Sequence, residues 1–269
     1  MSGSVFGGQV PVTEMAHCVA AHQRLLFTLQ QLDDTTATSP SLVPKWTRAH
    51  VVAHLAVDAE SNVRMLRGLL RDETIPQYAG GAGGHRRAIE EIVGLKPARL
   101  IDRYRTASED LFAVWQELPD DRWERTVSTL GGSSPAADTA WIRWHELEVR
   151  HVDLDLGFQP DDWPAAYVTT ALVRLLEGLP PPGRAGAPKG LWVIEATDRE
   201  RIWSVDTGDS ASPSVEDGTP SRAADGYIAG SAHVVLAWLL GRPVTGDQLR
   251  VEGSRSEEAW ELPRWFPVL

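Results

Sequence analysis

The run Trp46-Thr47-Arg48-Ala49-His50-Val51-Val52-Ala53-His54-Leu55-Ala56 decides how this chain is read. Thr47 suits a helix N-cap, because a hydroxyl just before a helix accepts from the unsatisfied N–H groups of the first turn. Beyond it Val51, Leu55, Asp58, Asn62 and Met65 recur at three- and four-residue spacing, the signature of one helix face. His50 and His54 are four residues apart, hence on one side of that helix, and Asp58 continues the line. Imidazole and carboxylate donors in this order suit a divalent ion. A half-buried histidine pair without metal has the same spacing, so both readings stand.

Outward from this helix the pattern stays helical. Met15, Val19, His22, Leu26 and Leu29 predict an amphipathic helix before it, joined through the polar stretch Asp33–Pro44. Gly80, Gly81, Gly83 and Gly84 predict a flexible loop after it. Ile101, Tyr104, Ser108, Leu111 and Trp115 mark a third helix. Leu130–Ala137 reads as a loop or short hairpin, and a fourth helix starts near Asp138 and runs toward Gly157. Four helices with long connections predict a four-helix bundle, an architecture whose interior often holds metal sites.

Composition changes near Gln159–Pro164. The expected division is a helical bundle over residues 1–160 and a small α+β domain over residues 161–269. In the second part Asp162-Trp163-Pro164 opens a helix, and Leu191–Ala196 with Arg201–Val205 forms a hairpin. Gly208–Ala224 is expected to be a long mobile loop, Gly226–Ala229 a strand, Ser231 a helix cap and Gln248–Glu252 a last strand. The fold class is therefore α+β, a bundle followed by a small sheet with a helix or two.

Charge narrows the partners. With 26 basic and 37 acidic residues the net charge is -11, which disfavours nucleic acid and anionic membranes. The opening residues lack the layout of a secretory signal, and no apolar run is long enough to span a bilayer, so a cytoplasmic location is expected. The single cysteine, Cys18, excludes an intrachain disulfide and a cysteine-based zinc site. A metal would need His and carboxylate ligands, and a reactive thiol would come from a cofactor. Such ligand types crowd a second run, Trp144-His145-Glu146-Leu147-Glu148-Val149-Arg150-His151-Val152-Asp153. A solvated charged face is the competing reading of that run.

The Trp46–Ala56 run resembles the second-helix signature of the mycothiol-dependent maleylpyruvate isomerase family, one of the DinB-like metal-binding four-helix bundles. Trp141–Leu154 is similar to that family's fourth-helix signature, and Ala229-Gly230-Ser231 and Leu240-Gly241-Arg242 look like its C-terminal domain. The resemblance covers nearly the whole chain. It implies zinc or another divalent metal held by His, Glu and His, with mycothiol as the low-molecular-weight thiol. His54 matches the first ligand and Glu146 the second. The third should lie four residues after the glutamate, where this chain has Arg150, with His151 next. On an ideal helix Glu146 and Arg150 lie about 40° apart and Glu146 and His151 about 140° apart. His151 could complete the set His54, Glu146 and His151 through a local bulge. A site rebuilt on the pair Glu148 and His151, or an Arg150–Glu146 salt bridge without metal, are the alternatives.

The resemblance also implies a role for Arg242, which looks like a family arginine implicated in activity; a guanidinium suits bidentate capture of a substrate carboxylate. A plain helix cap is its other reading. Arg242 and Arg150 are thus the candidate catalytic residues. His50 is expected to be hydrogen-bonded beside the site, His22 to be a satisfied core histidine, and His145, His85, His17 and His233 receive no role. The implied activity is that of an isomerase or S-transferase acting on a small electrophilic acid, such as a maleylpyruvate-like cis-enoyl compound. A non-catalytic binding or regulatory member with a decayed metal site, and a thiol-independent biosynthetic tailoring enzyme, remain open.

Overall fold

The computed structural model describes residues 10–177, 188–208, 214–244 and 247–265. The chain divides into two compact units, Met1–Phe158 and Gln159–Leu269.

In the first unit helices α1 (Val12–Leu29), α2 (Asp34–Thr38), α3 (Arg48–Leu70), α4 (Gly81–Ile92) and α5 (Pro97–Glu117) lead to a hairpin of β1 (Thr126–Thr129) and β2 (Gly132–Pro135), then α6 (Asp138–Asp153). The bundle is made by α1, α3, α5 and α6, with α3 against α5 and α1 against α6 as its closest pairs. Leu25, Leu29, Leu55, Leu66, Leu111 and Trp115 are among the side chains buried at its centre. Each such side chain contributes about 1.5–3 kcal/mol relative to exposure, which is what holds helices whose intrinsic propensity is modest. α3 is buried along most of its length, so its polar members, His54, Asp58, Ser61 and Asn62, lie inside the bundle.

The glycine run expected to be a flexible loop instead starts α4. Gly80 and Gly81 take left-handed backbone angles, φ 81° and 58°, to turn the chain into the helix. At Gly84 a Cβ would lie 1.8 Å from the carbonyl oxygen of Ala79, so that position admits only glycine for steric reasons. These glycines serve close approach of backbone to backbone.

The second unit holds α7 (Ala165–Glu177), β3 (Leu191–Ala196), β4 (Arg201–Asp206), β5 (Ser214–Asp217), β6 (Gly226–Gly230), α8 (Ala232–Leu239), β7 (Arg250–Glu252) and α9 (Ser256–Ala259). The sheet order is β5-β4-β3-β6-β7. β3 pairs antiparallel with β4, Ile194 opposite Trp203, and parallel with β6, Ile194 opposite Ile228. β3 is buried on both faces, which explains its unbroken apolar run Leu191-Trp192-Val193-Ile194. β5 lies within the stretch expected to be a mobile loop: Ser214–Asp217 pairs with Trp203–Asp206 as an edge strand. Ser231 caps α8, its hydroxyl accepting from the Val234 N–H at 3.4 Å. The helix expected to open at Asp162-Trp163-Pro164 is α7, which starts at Ala165. Among the described residues no helix is long and apolar enough to cross a membrane.

Candidate functional site

The start of α3 is set by Thr47 and His50. The Thr47 N–H donates to His50 Nδ1 at 3.2 Å, and the Thr47 hydroxyl lies 2.7 Å from the same nitrogen. The other side of that imidazole, Nε2, is 3.7 Å from Glu90 on α4. His50 is thus committed to the helix start and to the neighbouring helix.

One turn further, His54 points into the bundle and meets Glu146 of α6, Nε2 to Oε2 at 2.8 Å. An ionised carboxylate only accepts, so Nε2 carries the hydrogen. His54 Nδ1 lies 3.1 Å from Nε2 of His85 on α4. Trp46 tilts over the His54 ring at 5.5 Å, and Tyr78 lies against His85 at 4.4 Å. Burial and the neighbouring His54 push the His85 pKa down to about 4.

Arg150 completes the cluster from one turn along α6. Its Nε donates to Glu146 Oε2 at 3.0 Å and its Nη1 to Asp153 Oδ2 at 2.8 Å. The whole group is buried, with 5% of the Arg150 side chain and 1% of the Asp153 side chain exposed. Burial opposes the charge on Glu146, but Arg150 and His54 outweigh it and hold the carboxyl well below the usual carboxylate range. Glu146 and Asp153 in turn outweigh burial at Arg150 and keep its guanidinium charged.

His151 goes elsewhere. α6 is a regular α-helix from Asp138 to Asp153, so no bulge turns that residue toward Glu146. Its Nε2 lies 2.7 Å from the Thr28 hydroxyl of α1, and its ring stacks on Phe158 at 3.7 Å. Burial, aided by Arg24, pushes its pKa down to about 3. Glu148, on the same side of α6, is bonded by Arg24 and by Trp144 Nε1 at 3.0 Å. Of the residues expected around one ion, the fold brings together His54 and Glu146 and turns His151 toward α1.

A three-ligand zinc site therefore does not fit these residues. Zinc takes at least three protein donors in such a site. Here two are offered, and Oε2 of the carboxylate is shared by an imidazole and a guanidinium. His85 does not make up the number on that side of the ring, since it meets the opposite nitrogen of His54. Among the described residues no group of three or more His, Cys, Asp and Glu side chains is placed to hold a metal ion.

Behind the cluster lies a polar core that the sequence did not reveal. Arg143 of α6, fully buried, donates Nη1 to Asp58 Oδ2 at 2.9 Å and to the Leu55 carbonyl at 3.0 Å, and Nη2 to Ser108 Oγ at 2.9 Å. Asp58 Oδ1 also accepts from Asn62 and Gln77, each at 3.2 Å, and from the Tyr78 hydroxyl at 3.4 Å. Tyr78 thereby links the buried ion pair to His85. A signal existed: Arg143 is three residues before Glu146 and seven before Arg150, which puts all three on one face of the helix.

Arg242 belongs to the second unit. It follows α8, with its N–H on the Ala237 carbonyl at 2.8 Å and Nη1 on the Leu240 carbonyl at 2.5 Å. These bonds satisfy the end of the helix.

Residues 18–155 match the family described as the mycothiol maleylpyruvate isomerase N-terminal domain. No curated protein matches the chain. Among solved structures, the mycothiol-dependent maleylpyruvate isomerase and a histidine-to-alanine variant of it are similar, each with a TM-score of 0.74 and 20% identity over 90% of this chain and 92% of the other. At that identity the likeness is one of fold.

Proposed function

Because the chain belongs to the mycothiol maleylpyruvate isomerase family, we propose that it is a thiol-dependent enzyme, an isomerase or S-transferase, using mycothiol on a small electrophilic acid. The observation that supports this most is the family match itself, which runs from within α1 to just past α6 and contains both His54 and Glu146.

The chemistry follows from the thiol. Its thiolate adds to the β-carbon of a cis double bond conjugated to a carbonyl, and the π electrons move onto the carbonyl oxygen as an enolate. The former double bond is then single and rotates. Collapse of the enolate re-forms the double bond and expels the thiolate, giving the trans isomer with no net redox change. Attack on a carbon that carries a leaving group gives S-transfer instead. In this chain Glu146 orients His54 through the Nε2 bond, and Arg150 keeps Glu146 ionised. By its chemistry and the family resemblance, Arg242 of the second unit is the candidate to pair with a substrate carboxylate. No step is assigned to a metal, because the donor set does not fit one.

Incubation of the protein with a cis-enoyl diacid, with and without mycothiol, tests the reading by loss of the cis isomer. Turnover only with the thiol is the expected result; equal turnover without it points to the thiol-independent class. The Arg150–Glu146 bond favours a second reading, a binding or regulatory member without catalysis. That reading predicts acid or thiol binding by calorimetry with no turnover for any pairing.

A further inference from the structure

The cation beside Glu146 is part of the chain. Arg150 stands one helical turn after Glu146, where the family resemblance places the third metal ligand, and its Nε sits on the same carboxylate oxygen that His54 uses. Asp153 holds the guanidinium from the other side through Nη1, within a buried site. A divalent ion bound by Glu146 Oε2 would have to displace one of these hydrogen bonds and would face a fixed positive charge a few ångströms away. His151, the next histidine along α6 after Glu146, is held by Thr28 and Phe158.

We infer that the α3–α6 site of this chain is built to work without a resident divalent ion, the Arg150 guanidinium being the cation that neutralises Glu146. The site then offers ligands N–H donors and a single diffuse charge in place of a Lewis acid. Arg suits this use better than Lys, because its planar fork reaches Glu146 and Asp153 at once and stays charged when buried. The inference stands on the donor set and does not depend on the isomerase reading.

The test is a titration of the full chain, freed of metal, with Zn²⁺ and with Co²⁺, whose visible absorption reports tetrahedral binding. The wild type is expected to show no stoichiometric uptake. Arg150→His supplies a third donor in line with Glu146 and is expected to take up about one equivalent. Uptake by the wild type that is lost in Glu146→Gln would overturn the inference. So would a folded Arg150→His protein that stays metal-free, since Arg150 would then not be what excludes the ion. The wild-type titration decides the first point even if the variant does not fold. Neither thiol nor substrate is present, so loss of the enzyme reading, seen as no thiol-dependent turnover, remains a separate result.

Discussion

Arg143 Nη1 and Asp58 Oδ2 meet at 2.9 Å across α6 and α3, with 0% and 5% of their side chains exposed. A buried ion pair of this kind adds little net stability over an apolar pair, but removing one partner strands the other charge in a low dielectric. Arg143→Met should therefore destabilise the first unit by about 3–5 kcal/mol. The double variant Arg143→Met/Asp58→Leu should recover only part of that loss, because Gln77 and Tyr78 also lose their acceptor. Urea midpoints of the three proteins check both statements.

Glu146 presents the same physics at the site. Glu146→Gln keeps the shape but removes the charge that Arg150 and His54 face. A loss of about 3 kcal/mol in unfolding free energy is expected, the low end of the range because Asp153 still partners the guanidinium. If catalysis is thiol-dependent, turnover falls with it, since His54 loses its oriented acceptor. Denaturation and steady-state rates on one preparation measure the two effects.

His22 predicts a pH dependence. Burial first, then Arg143 and Arg105, push its pKa from the usual 6.5 down to about 4. Its Nδ1 lies 2.9 Å from the Tyr104 hydroxyl in the core. Between those two values the unfolded chain binds the proton that the folded chain refuses. Stability contributed by neutral His22 is thus full above pH 6.5 and falls as the pH drops toward about 4. His22→Gln should flatten the stability curve in that window relative to wild type, as read from unfolding midpoints at a series of pH values.

Gly84 controls how α4 presents His85. An alanine there brings its Cβ to 1.8 Å from the Ala79 carbonyl oxygen, so the helix start must move. A cost of about 1–3 kcal/mol and a displaced His85 are expected for Gly84→Ala. Thermal unfolding reports the first, and a crystal structure showing the His54 Nδ1 contact broken reports the second.

Arg242→Lys tests substrate capture. A lysine can still cap the helix end but cannot make a bidentate pair with a carboxylate. The expected outcome is a rise of about tenfold or more in KM, with kcat little changed and the unfolding midpoint within error of wild type. Equal loss of stability and activity would instead mark Arg242 as a cap alone.

The helices of the first unit were legible because burial leaves a three- and four-residue rhythm; α1, α3, α5 and α6 all carry it. The sheet was partly legible, since β3 opens on an apolar run and a turn leads from it into β4. β5 was not: it is an exposed edge strand, made by pairing with β4 rather than by any pattern of its own. The glycines before α4 misled because composition cannot distinguish a mobile backbone from one that approaches another backbone closely.

By itself the sequence determined an α+β chain with a helical bundle, an acidic surface, one thiol, and a histidine and a glutamate on its second and fourth bundle helices. It also determined the arginine at the position where a third ligand is expected. Only the tertiary structure decided what that arginine does, by seating it between Glu146 and Asp153, and where His151 goes, by offering it Thr28 and Phe158. It alone joined Arg143 to Asp58 and His85 to His54, partners far apart in the chain. Helical rhythm is local, carried by neighbours one turn away, whereas the charge state and partner of a buried polar group depend on which helix lies opposite, and that is set only when the bundle closes.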